Sequence, residues 1–221
     1  MALSTVDPEH LLLPGAAGQI ETLVETSAAR PRAVALCCHP HPLFGGTMTN
    51  KVIHTVARSF VASGAVAVRF NFRGVGKSEG LHDGGSGETA DVIALAKWAR
   101  RRWPGLPLWL AGFSFGAWVA LKAEASINPS LLVTVAPPVG RWDFSTIKPP
   151  NCPWLVIQGS KDELVDATKV DQWLISLSTH SKIAPQLCLL ADADHFFHAR
   201  LHEVRDAVSR FVTDQLAERS E

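Results

Sequence analysis

The chain has 221 residues, 47% of them hydrophobic, enough to build a sizeable core as a single domain. Lys plus Arg and Asp plus Glu balance at 21 each, so the chain lacks the basic footprint that nucleic acid or an anionic membrane surface attracts. No apolar run approaches the roughly 20 residues of a membrane span, and Met1–Pro14 lacks the positive start and long apolar stretch of a signal peptide, so a cytoplasmic protein is expected.

Short apolar runs alternate with longer amphipathic ones, the pattern of a mostly parallel sheet flanked by helices. In chain order the predicted strands are Gln19–Glu25, Ala33–Cys38, Ala65–Phe70, Leu108–Ala111, Leu131–Ala136, Trp154–Gln158 and Gln186–Leu190. The predicted helices between and after them are Thr49–Ser63, Glu88–Arg102, Phe115–Ser126, Thr168–Leu177 and Ala199–Ala217. The fold class is therefore α/β. Only about 17 residues separate the strand ending at Ala136 from the one starting at Trp154, too few for an inserted cap domain of ~40 or more. Of the cysteines, Cys37 and Cys38 lie in a strand pattern while Cys152 and Cys188 stand alone. Without a C-x-x-C spacing they read as small buried thiols in a reducing compartment rather than zinc ligands or a redox pair.

Between the strand at Leu108 and the helix at Phe115 stands Gly112-Phe113-Ser114-Phe115-Gly116. A strand that turns into a helix this quickly forces its central residue into a strained backbone conformation, and the residues two positions away must be small. Ser114 is thereby held out at the tip of the turn, a nucleophile elbow if a base and an acid accompany it. A bland glycine-rich connection is the competing reading.

In open α/β sheets ligands bind at the carboxyl ends of the strands. Two polar segments follow later strands: Gly159-Ser160-Lys161-Asp162, and Ala191-Asp192-Ala193-Asp194-His195. A serine hydroxyl needs an imidazole to take its proton, and a carboxylate on the far ring nitrogen to hold the tautomer. Ser114, Asp162 and His195 occur in that chain order. Asp166, which is expected to open the helix at Thr168, and Asp143, behind a Pro-Pro turn, are weaker acids for the role. His198, at the expected start of the last helix, is the rival base. Asp192 and Asp194 are expected to shape the turn before His195.

Acyl transfer also requires two N–H donors where the carbonyl oxygen becomes negative. Phe115 N–H, just after the nucleophile, is the first. The second is sought in His39-Pro40-His41-Pro42-Leu43-Phe44-Gly45-Gly46. Pro40 and Pro42 have no N–H, which leaves His41, Leu43 and Phe44, with His41 and Leu43 preferred. His39 and His41 also resemble a metal pair, but no third ligand stands at a useful spacing. The segment Phe70-Asn71-Phe72-Arg73-Gly74-Val75-Gly76-Lys77-Ser78-Glu79-Gly80 superficially suggests phosphate binding; its spacing fits neither a P-loop nor a dinucleotide fingerprint. Arg73 reads as a structural tie.

Taken together, the His39–Gly46 loop, the Phe72–Ser78 segment, the Ser114 elbow and the Asp162/His195 pair resemble the α/β-hydrolase superfamily over nearly the whole chain. In detail the chain is similar to a small lidless bacterial group with an H-P-H-P-x-x-G-G loop, related to dienelactone hydrolases and the wider peptidase and esterase branch. The resemblance implies a single-domain α/β-hydrolase fold with a mostly parallel sheet of about seven or eight strands and no cap domain. It implies a triad of Ser114, Asp162 and His195 and no cofactor; no metal is expected, since His39 and His41 lack a third ligand. The chain departs in having His39-Pro40 where many relatives have His-Gly, and serine where dienelactone hydrolases use cysteine. The expected activity is cleavage of small-molecule esters of short to medium acyl groups by a monomer or homodimer. Thioester or peptide cleavage would pass through the same acyl-enzyme, and a non-catalytic binding or scaffold member of the fold is the alternative from another class.

Overall fold

Side-chain alternation along the central strands dictates the layering. In β3 (Ala33–Cys38), Val34, Leu36 and Cys38 enter one apolar cluster and Ala33, Ala35 and Cys37 another, all fully buried. A strand buried on both faces needs helices on both. The computed structural model, which describes residues 7–26, 30–179 and 181–218, supplies them. In chain order its other elements are β1 (Glu9–Gly15), β2 (Gly18–Glu25), α1 (Lys51–Ala62), β4 (Ala65–Phe70), α2 (Ser86–Arg102), β5 (Leu108–Phe113) and α3 (Phe115–Ile127). They continue as β6 (Leu131–Val135), β7 (Trp154–Gly159), α4 (Ala167–Ser178), β8 (Gln186–Leu190) and α5 (Leu201–Glu218).

The eight strands form a sheet of order β1-β2-β4-β3-β5-β6-β7-β8. β1 and β2 pair antiparallel, β2 runs antiparallel to β4, and the strands from β4 to β8 are parallel. Val52, Val56 and Phe60 of α1 pack with Val208 and Phe211 of α5 on one face. Val92 and Leu95 of α2, Trp118 of α3 and Leu174 of α4 cover the other. Burying side chains of this size stabilises the fold by about 1.5–3 kcal/mol each. The chain reverses direction across the sheet between β3 and β5, which opens a crevice at their carboxyl ends.

β1 was not among the predicted strands. Leu11-Leu12-Leu13 runs into Pro14, which reads as an isolated apolar patch, yet an edge strand tolerates proline because one side of its ladder has no partner. A two-residue turn at Ala16-Ala17 pairs it with β2. The last helix begins at Leu201 rather than Ala199, since Phe197 (φ 54°) and Ala199 (φ 59°) adopt left-handed backbone that no helix continues. β5 runs two residues further than predicted, up to Phe113. The connection from β6 to β7 contains turns and a single bridge between Val139 and Trp142, with no helix over the site. Among the described residues no helix is long and apolar enough to cross a membrane.

Candidate active site

Ser114 sits between β5 and α3 with φ 53° and ψ −120°, a left-handed conformation that side chains rarely adopt. The flanking glycines are a steric requirement. A Cβ on Gly112 would strike the Gly116 carbonyl, and one on Gly116 would strike the carbonyls of Cys38 and His39. The elbow is therefore wedged against the end of β3, which brings the serine to the loop that follows that strand.

Asp162 follows β7 and His195 follows β8, and His195 stands between Asp162 and Ser114. Ser114 Oγ lies 3.1 Å from His195 Nε2, and His195 Nδ1 lies 2.8 Å from Asp162 Oδ2. Nδ1–H donates to the carboxylate, which leaves Nε2 to accept the serine proton. The His195 ring is packed by Phe113 and Phe196, each with its centroid 5.1 Å away. Its backbone N–H donates to Glu163 at 3.2 Å. Burial opposes ionisation of Asp162, but the hydrogen bond and charge of His195 and the amides of Val165 and Leu164 outweigh it, holding the carboxyl below its usual range. Those amides donate to Oδ1 at 2.8 and 2.9 Å. Gln158 Nε2 adds a bond of 3.0 Å to Oδ2.

The rivals have other work. His198 is exposed and bound to Asp194 at 2.6 Å; Asp143 accepts from Ser145 in an exposed turn; Asp166 caps α4 through Thr168 N–H. Asp194 also accepts the His198 amide, and Asp192 takes a left-handed φ of 56°, so both shape the turn ahead of His195.

The His39–Gly46 loop answers which amides point where. Leu43 N–H donates to the Nδ1 of His41 at 3.2 Å, and Phe44 N–H to the His41 carbonyl at 3.1 Å. Leu43 is therefore engaged within its own 3-10 turn, Pro42–Phe44, contrary to the expectation that it serves as an oxyanion donor. The His41 N–H makes no hydrogen bond among the described residues, and neither does Phe115 N–H. The two residues touch, with rings 4.9 Å apart, and both line the cavity beside Ser114.

His39 holds this loop from below. Its Nε2 accepts Phe72 N–H at 2.9 Å and its Nδ1–H donates to the Pro40 carbonyl at 2.6 Å. Both nitrogens are thus taken by backbone. Burial drives the pKa of His39 down to about 3, so the ring is neutral. Burial and the neighbouring His82 also lower His41. Among the described residues no group of three His, Cys, Asp or Glu is disposed to hold a metal ion.

Arg73 ties its loop to α2, donating to Asp91 and to the Gly87 carbonyl at 2.8 Å each. His82, in the same loop, bonds to the fully buried Glu88 at 2.7 Å and packs against the rings of His41 and Phe115. Cys37, Cys38 and Cys152 are buried and Cys188 is half-buried.

Ser114 and His195 open into a cavity of about 440 Å³ walled by Phe44, Phe115, Trp142, Leu164 and Phe196. Sequence reasoning passed over Gln158 and Trp142. The first is a lone amide at the end of a buried strand and the second stands in an irregular loop; neither belongs to a pattern.

A family model for serine aminopeptidases of the S33 type matches residues 29–152, more than half of the chain. An uncharacterized protein of Rickettsia prowazekii is 35% identical over 206 residues, spanning 90% of this chain and 86% of that one. An α/β serine hydrolase without a lid from Xanthomonas campestris superimposes with a TM-score of 0.88 at 43% identity, covering 97% of each chain. An α/β serine hydrolase homologue from Coxiella burnetii has a TM-score of 0.86 at 39% identity, covering 91% of this chain and 96% of that one.

Proposed function

The chain belongs to the α/β-hydrolase superfamily, among its small lidless serine hydrolases, and on that premise we propose that it cleaves carboxylic esters of short to medium acyl groups through an acyl-enzyme on Ser114. The observation that carries the reading is the line of hydrogen bonds from Ser114 Oγ to His195 at 3.1 Å and from His195 to Asp162 at 2.8 Å. In this mechanism Ser114 Oγ attacks the ester carbonyl while His195 Nε2 takes its proton, and Asp162 stabilises the imidazolium. The negative oxygen is received by the N–H groups of Phe115 and His41. Collapse breaks the bond to the alcohol oxygen, which leaves with the proton from His195. Water, deprotonated by the same imidazole, then releases the acid and restores Ser114.

The walls of the cavity favour esters over peptides with a free amino terminus. They are largely aromatic and aliphatic, and no carboxylate lines them among the described residues. An aminopeptidase has to hold an ammonium group, and a desolvated ammonium needs an anion beside it. A sheet packed by helices on both faces also supports the reading of the chain as one domain.

The test is turnover of phenyl butyrate by wild type and Ser114→Ala, alongside labelling by a fluorophosphonate probe. Turnover is expected to fall on the order of 10³-fold or more, and the label to be lost with the hydroxyl. A Ser114→Ala protein that keeps half of the wild-type rate refutes the assignment.

A further inference from the structure

Among the described residues that line the cavity, Arg141 carries the only permanent charge. No carboxylate among the described residues forms an ion pair with it; its one side-chain bond runs from Nη1 to the Leu164 carbonyl at 3.1 Å. A guanidinium has five N–H donors in a rigid fork, so most of them remain to be used.

The side chain is held at both ends. Its backbone lies in a turn in which Arg141 N–H donates to the Pro138 carbonyl at 3.1 Å and Gly140 takes a left-handed φ of 81°. The next residue, Trp142, is wedged against Phe115 and Trp118, with ring centroids at 5.2 and 4.9 Å. At the other end, Leu164 is fixed because its own N–H is bound to Asp162 Oδ1 at 2.9 Å. Arg141 is exposed, and this one contact with the Leu164 carbonyl sets its guanidinium at the edge of the cavity. Glu163 and Asp166 lie with Arg141 around the neighbouring surface hollow and do not line the cavity that holds Ser114.

We infer that Arg141 is a specificity-determining residue that selects esters bearing a carboxylate, so that the substrate is an anionic ester with its charged end on Arg141 and its scissile carbonyl at Ser114. This rests on the hydrolase reading above. The carboxylate belongs either to the acyl part or to the alcohol part, and both are chemically equivalent for a guanidinium fork.

The experiment compares two matched pairs by initial rate. Monoethyl adipate against ethyl heptanoate places the charge on the acyl side; the butyrate ester of para-hydroxybenzoate against that of phenol places it on the alcohol side. Wild type is expected to prefer the anionic member of one pair by about 10-fold in kcat/KM, and the pair that responds identifies the side. The cavity is open to solvent, so added salt erodes the preference. Arg141→Gln is expected to abolish it through KM while neutral esters keep their rates, and Arg141→Lys to retain part of it. Equal selectivity in wild type and Arg141→Gln, or a uniform loss on charged and neutral esters, overturns the proposal.

If no ester of either pair is turned over, the hydrolase reading fails by itself. Calorimetric titration then decides the matter for Arg141, using monoethyl adipate and the butyrate ester of para-hydroxybenzoate on Ser114→Ala with and without Arg141→Gln. Binding of either that disappears with the guanidinium upholds the assignment, and binding unchanged, or absent in both proteins, rejects it.

Discussion

Gln158 and His195 donate to the same oxygen: Oδ2 of Asp162 receives Gln158 Nε2 at 3.0 Å and His195 Nδ1 at 2.8 Å. The other oxygen of Asp162 is spent on the amides of Leu164 and Val165. Gln158 is fully buried, and its Oε1 has no partner among the described residues. Its Nε2 also lies 3.3 Å from the carbonyls of Gly159 and Val165, so the amide ties the carboxylate to the backbone around it.

Replacing Gln158 by Met keeps the volume and removes the donor. We expect kcat on phenyl butyrate to fall about 10-fold with KM unchanged. The melting temperature should change little, because removal of the orphaned Oε1 offsets loss of the Nε2 bonds to Asp162, Gly159 and Val165. Wild-type kcat in this variant would show that Gln158 merely fills space.

The elbow predicts a steric failure. In Gly116→Ala the new Cβ meets the carbonyls of Cys38 and His39, neither of which can yield without moving the loop that carries His41. Overpacking of this kind costs about 1–3 kcal/mol, or a fall in melting temperature of about 3–10 °C for a domain of this size. Ester turnover should drop with it, since Ser114 and His41 are forced apart. A variant that melts like wild type and turns over normally would remove the steric argument for that glycine.

Acid sensitivity should trace in part to His39. Its folded pKa of about 3 lies below the ordinary value of 6.5, so between those limits the unfolded chain binds one more proton than the folded one. The stability contributed by the neutral ring is complete above about pH 6.5 and is lost as pH falls, by about 1.4 kcal/mol per pH unit. Asp162, also depressed, acts in the same sense at lower pH. Urea unfolding from pH 7.5 to 4.5 should show His39→Gln less stable than wild type at the neutral end, with the gap closing towards acid. A gap that stays constant with pH would exclude His39 as a source of the acid loss.

What the sequence made legible follows local rules. Gly112, Ser114 and Gly116 announce themselves because one turn permits few residue types, and Asp162 and His195 stand directly after apolar strands. How the 3-10 turn spends its amides was not legible: Leu43 turns its N–H onto the His41 ring, and no residue pattern announces that. β1 was hidden by Pro14, whose penalty vanishes at a sheet edge. Arg141 stands in a loop without periodicity, and only the folded chain shows that its guanidinium reaches the Leu164 carbonyl.

The short connection between β6 and β7 has a chemical consequence beyond access for the substrate. Among the described residues no helix closes over Ser114, so the acyl group of the proposed intermediate would face solvent. Water at its full concentration is then one nucleophile among any others present. Added methanol or a small amine should divert the acyl group in proportion to concentration, so that the products are shared between hydrolysis and transfer.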